Sequence, residues 1–153
     1  MLEPRIETIF CDDIREEVGN KRSLMGIYHS EMFVQNMPVI LPRLCFYISY
    51  VNDFSDPLSK FEIKVVKGLD EVELITTGTI QPEDRPEKEK EINLGVPYKS
   101  KTIIMAFALS PFTIEEETVI RVIADTESGK IYGPCLRIRK AESQSSTEPT
   151  QPA

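Results

Sequence analysis

Between Ile9 and Met32 the chain reads IFCDDIREEVGNKRSLMGIYHSEM, which brings a thiol, two adjacent carboxylates, a mixed-charge run and the only histidine within 24 positions. Two carboxylates can act as general acid and base when they converge on one substrate, and a histidine oriented by a carboxylate is how a catalytic base is held. His29 and Glu31 stand two residues apart, on one face of an extended chain. Asp12 and Asp13 are neighbours, so a regular strand sends them to opposite faces, Asp12 with Phe10 and Ile14, Asp13 with Ile9 and Cys11. They are expected as strand-end carboxylates that accept backbone N–H bonds in the loop 15–22.

A triad also needs a nucleophile, and neither a G-x-S-x-G elbow nor an H-E-x-x-H helix accompanies His29. One histidine cannot build a His-rich metal shell within one chain. Calcium asks instead for hard oxygen ligands near strand ends. Counting strands as alternately up and down places Asp13, Asp53 and Asp56 at one end, with Asn52 as a helper and Asp125 at the other. Asp12, Asp13, His29, Glu31 and the Asp53–Asp56 loop thus define a competing reading, a divalent-ion-dependent binder or a hydrolase. Cys11, Cys45 and Cys135 each stand among Ile, Phe or Leu, surroundings that raise a thiol pKa, and are expected as inert core thiols. One bridge between two of them stays geometrically open.

The elements that must position these groups are apolar, β-branched runs of strand length separated by Gly, Pro, Asn and Asp, with no helical period sustained over three turns. Ile6–Asp13 and Leu24–Val34 read as a hairpin turning at Gly19-Asn20. Pro38 and Pro42 bracket VIL and break the ladder. Arg43–Val51, apolar on both faces, reads as a central strand. Phe61–Val65 and Val72–Ile80 form a second hairpin. Residues 81–91 read as a mobile, hydrated loop and Ile92–Gly95 as a short edge strand. Lys101–Leu109, the most apolar run, is expected at the core of the second sheet. Thr118–Asp125 and Lys130–Lys140 flank the turn TESG.

Seven to nine strands in 153 residues predict an all-β fold: a two-sheet antiparallel β-sandwich of immunoglobulin-like architecture, with a closed β-barrel as the alternative. Residues 1–140 form the single domain and 141–153, without an apolar residue other than alanine, a disordered tail. Apolar residues at 41% and charged residues at 28% are ordinary for a soluble globular chain. The start of the chain lacks the pattern of a secretory signal, no run reaches membrane-span length, and the three cysteines suit a reducing compartment, so a cytoplasmic protein is expected. A net charge of −7 without a basic cluster to offset it disfavours nucleic acid and anionic membranes as partners.

The segment IFCDDIREEVGNKRSLMGIY, residues 9–28, resembles the opening of a family of small uncharacterised bacterial and phage-associated proteins. In that family an apolar-C-D-x-x-R-x-E strand precedes a G-[NK]-x-S-L-x-G-[IV]-[YF] strand. The matching positions are Cys11, Asp12, Arg15, Glu16 or Glu17, Gly19, Ser23, Leu24, Gly26 and Tyr28. The resemblance covers about a quarter of the chain and implies a cytosolic β-sandwich with no assigned activity. It suggests that Gly26 allows a close backbone approach, while Asp12 or Arg15 pins the first hairpin by charge-assisted hydrogen bonds.

No catalytic residue, cofactor or small-molecule ligand is thereby implied. The leading expectation is a non-enzymatic protein-interaction or structural module that pairs with a protein partner or with itself, since an open sheet must protect its edges or use them. The residues to watch are Asp12, Arg15, His29 and Glu31.

Overall fold

The computed structural model describes residues 2–53, 60–81 and 100–142. All regular structure among them is β. Strand β1 (Arg5–Glu17) and β2 (Lys21–Tyr28) form the first hairpin, closed by Val18, Gly19 and Asn20, the last two at φ 83° and 60°. Beyond it come β3 (Glu31–Val34), β4 (Val39–Leu41) and β5 (Leu44–Asp53). After these the chain makes β6 (Phe61–Lys67), β7 (Val72–Thr76), β8 (Ser100–Leu109), β9 (Phe112–Ile114), β10 (Thr118–Thr126) and β11 (Gly129–Lys140).

The first sheet has the order β2-β1-β5-β8, antiparallel throughout. A second follows β3-β11-β10-β6-β7, in which only β3 runs parallel to its neighbour. The short strands β4 and β9 pair with each other. None of these sheets closes into a barrel.

One apolar cluster draws on both large sheets, with Ile6, Phe10, Phe46 and Ile48 from the first and Ile63, Val65, Ile120, Val122, Leu136 and Ile138 from the second. Alternation explains this membership: the even-numbered residues of β1 and β5 face the cluster and the odd-numbered ones face away. Tyr50 stacks on Phe61 with ring centroids 4.8 Å apart, a contact that joins β5 to β6. Opposite Val122, β11 inserts Gly133 and Pro134, so the register shifts between Arg121 and Ile123. Proline has no N–H to give to the ladder, and a bulge is where a strand can accommodate it.

Three expectations are corrected here. Leu24–Val34 is not one strand: it breaks at His29 and Ser30, where the chain leaves the first sheet and enters the second. Lys101–Leu109 is not the core of the second sheet but belongs to β8, at the end of the first, with its residues alternately half-buried and exposed. Val72–Ile80 shortens to β7, Ile80 returning only as an isolated bridge to Phe61. Arg43–Val51 does appear as the central strand β5 between β1 and β8. The loop from Pro82, the run Ile92–Gly95, Asp56 and the tail from Ser143 lie outside the described residues. No helix among the described residues is long and apolar enough to cross a membrane.

Candidate functional site

Asp12 and Asp13 go to opposite faces of β1, and each is committed locally. Asp12 stands across from Gly26, which has φ +67° and whose missing Cβ leaves the space the carboxylate fills; any side chain there would collide with Asp12. From β2 the Tyr28 hydroxyl donates to Asp12 Oδ1 at 2.5 Å. Burial, and then the bond to this carboxylate, push the Tyr28 phenol up to about 12, so it stays a donor through neutral pH.

Asp13 accepts from Arg43 at 3.1 Å, from Arg15 at 3.3 Å and from the Ile14 amide at 3.0 Å. Arg43 directly precedes β5, so this half-exposed carboxylate ties β1 to the start of the strand beside it. Exposed pairs of this sort contribute about 0–1 kcal/mol each; their effect is to hold the strand ends in register.

The remaining candidates lie elsewhere. His29 is exposed in the crossing between β2 and β3 and makes no hydrogen bond or ion pair with another described residue. Glu31 does not orient it, because Glu31 faces Arg139 at 3.4 Å and Arg137 at 3.7 Å on the neighbouring β11. Asp12, Arg15, His29 and Glu31 therefore do not share a pocket. Asp53 also parts from Asp13: β5 runs antiparallel to β1, so Asp53 lies at the Arg5 end of β1, where it accepts from the Leu2 amide at 2.8 Å. The alternating count put these aspartates together by giving successive strands opposite directions, whereas the chain changes sheets between β1 and β5 and the two then pair antiparallel. No three His, Cys, Asp or Glu side chains among the described residues are grouped to hold a metal.

What the geometry does assemble is a surface. On the face of the first sheet turned away from the core, Ile9 is 37% exposed, Met25 43%, Ile27 51% and Ile104 47%. The register sets them on adjoining strands: Ile27 opposes Cys11, Met25 opposes Asp13, Ile9 opposes Tyr47, and Ile104 opposes Ser49, two residues along β5 from Tyr47. At its side the far end of the first hairpin brings the Arg22 guanidinium 6.0 Å from the Tyr47 ring centre. Between hairpin and sheet lies an open cleft of about 630 Å³, lined by Glu16, Glu17, Lys21, Arg22, Tyr47 and Ile104 among others.

The outward face of the second sheet mixes exposed Phe33 and Tyr132 with ion pairs. Lys64 pairs with Asp125 at 3.0 Å and with Glu62 at 3.9 Å, and its pKa is raised, first by the Asp125 bond. Lys130 likewise meets Glu71 at 3.2 Å. Arg121 donates to Cys135 Sγ at 3.0 Å and lies 5.4 Å from the Tyr132 ring centre.

Sequence reasoning pointed at the charged residues and passed over this apolar face. Its signal was present in the parity of Ile9, Met25 and Ile27, all on the faces opposite to Phe10 and Tyr28. The missing knowledge was which parity faces the core.

Fold and site together define an all-β domain whose marked surface is an apolar sheet face beside a charged hairpin. The chain belongs to a family of unknown function, DUF6941, whose pattern matches residues 8–131, from within β1 to within β11. No curated protein and no solved structure matches it.

Proposed function

We propose that this domain is a non-enzymatic protein-interaction module, built as an immunoglobulin-like sandwich, that docks a protein partner on the outward face of its first sheet. The observation that carries the reading is the exposure of Ile9, Met25, Ile27 and Ile104 on adjoining strands of one face, whereas the second sheet's exposed Phe33 and Tyr132 stand among the charge pairs Lys64–Asp125 and Lys130–Glu71 and beside Arg121 and Arg139. Contiguous apolar surface on a folded domain is the usual mark of a binding site. Arg22 and Tyr47 at its margin are residue types enriched at interface centres. A net charge of −7 favours a protein partner over nucleic acid or an anionic membrane.

The test uses the full chain carrying Ile27→Asp together with Ile104→Asp, and a control, Lys64→Ala, on the other sheet. Light scattering across a concentration series reads self-association, and crosslinking in the source cell followed by affinity measurement on the purified partner reads a second protein. The reading expects an assembly that the paired aspartates abolish and the control retains. A strictly monomeric chain whose captured proteins bind the paired-aspartate variant equally well would overturn it.

A further inference from the structure

Two of the three cysteines are cross-strand partners. Cys11 on β1 and Cys45 on β5 stand directly opposite in the antiparallel register, both buried and both free thiols. Opposed residues of an antiparallel pair have Cα atoms about 4.5–5.5 Å apart, within the range of about 4.4–6.8 Å that a disulfide spans. The register alone thus places the two Cα atoms within disulfide range.

Both side chains belong to the odd-numbered face of the sheet, away from the central cluster, and beside them stand Ile9 and Ile27, themselves substantially exposed. Both thiols are themselves fully buried beneath that face, so exchange proceeds through local opening of the β1–β5 pairing. Cys45 Sγ is directed at the Asp12 carbonyl at 3.7 Å. Burial, and then its proximity to Cys45, push the Cys11 thiol up to about 11, so Cys11 holds its proton at neutral pH.

We propose that Cys11 and Cys45 are a redox pair, closing to an intramolecular cross-strand disulfide in exchange with a small-molecule disulfide and reopening with excess small thiol. Cys45 acts first. Its sulfur, as thiolate, attacks one sulfur of the small disulfide; that S–S bond breaks, and one small thiolate leaves and takes up a proton. Cys11 then gives up its proton, and its sulfur attacks Cys45 Sγ in the mixed disulfide, expelling the second small thiolate. The two protein thiols are oxidised and the small disulfide is reduced to two thiols. Opposed Cβ atoms on a sheet lie about 4.5–5.5 Å apart, somewhat wider than the roughly 3.5–4.5 Å a relaxed disulfide prefers, and a bond under such tension is readily reduced. Reversible closure is therefore expected. Cys135 is excluded, since it lies on β11 in the other sheet.

The test is equilibration of the full native chain in buffers of reduced and oxidised glutathione, followed by acid quench, thiol counting and peptide mapping. The free thiols should fall from three to one, with a Cys11–Cys45 linkage in a monomer, and return on adding reduced glutathione. Cys135→Ala should behave like the parent, whereas Cys11→Ala should stop at a mixed disulfide on Cys45. Three free thiols throughout, a linkage through Cys135, or a mixed disulfide that persists in the parent would each overturn the proposal. Mapping of the unsubstituted chain keeps the test valid if an alanine variant fails to fold. Closure is independent of the docking reading, because it is scored on the isolated protein.

Discussion

Gly26, within β2, is the residue that makes room for Asp12 across the first hairpin. At φ +67° it sits where an L side chain is strained, and the Asp12 carboxylate occupies the volume of its absent Cβ. Gly26→Ala should destabilise the domain by about 1–3 kcal/mol through backbone conformation alone, with the collision adding to it. The two contributions can be separated. Asp12→Ala removes the obstructing carboxylate but leaves φ unchanged, so the double variant should lose less stability than the sum of the singles. A urea-melt mutant cycle reads the coupling directly. Additive losses would show that the collision contributes nothing.

Two neighbouring groups make this corner sensitive to alkali. Cys11 is raised from 9.0 to about 11 and Tyr28 from 10.0 to about 12, so each protonated form is favoured by the fold. A group whose folded pKa lies above its unfolded value contributes stability that is full below the unfolded pKa and lost as pH climbs through the folded one. Stability should hold to about pH 9, then fall by roughly 1–3 kcal/mol in all by pH 12, after allowance for Tyr28's partial exposure. Melts against pH should show Cys11→Ala removing the lower part of the decline and Tyr28→Phe the upper. A profile unaltered in both variants would assign the decline to other groups.

Among the elements, the apolar content of a strand and its depth in the fold do not run together. Phe46 on central β5 is fully buried, edge-to-face with Phe10 at 5.8 Å, while Ile104 on β8 is 47% exposed. Phe46→Ala should cost about 3–5 kcal/mol by leaving a cavity, and Ile104→Ala under about 1 kcal/mol. Chemical denaturation of the two variants distinguishes them, and comparable losses would place β8 in the interior after all.

This is also the scale at which the sequence stops being informative. Strand identity was legible wherever alternation or a two-sided apolar run met a turn, as in the β1–β2 hairpin with Gly19-Asn20 and in β5. The break at His29 was not, because a chain crossing between sheets stays extended and keeps the same composition on either side; only the pairing partner changes. The grouping of Asp13 with Asp53 failed because strand direction does not simply alternate along a chain that changes sheets, and β5 pairs antiparallel with β1. Local commitments such as Asp12 over Gly26 lie within one hairpin and could be anticipated, whereas Arg43 on Asp13 and Cys45 opposite Cys11 depend on a pairing between distant strands. Lys101–Leu109 misled for a related reason: hydrophobicity alone does not tell an edge strand with an apolar outward face from a buried one.

Taken whole, the molecule is asymmetric, with an apolar outward face on the first sheet and, on the second, ion pairs interspersed with exposed Phe33 and Tyr132. The two would bind by different physics, and salt separates them. Apolar association is maintained or strengthened as sulfate is added, because sulfate is excluded from protein surface. Association through Lys64, Asp125 or Lys130 would instead weaken as ionic strength rises, since exposed charges are screened beyond about 8 Å at physiological ionic strength. The net charge of −7 adds a repulsion between like copies that salt also relieves. Self-association measured by light scattering should therefore grow from low to moderate sodium sulfate and disappear with Ile27→Asp at every concentration of salt. A dimer that dissociates with added salt and persists in Ile27→Asp would move the contact to the charged sheet.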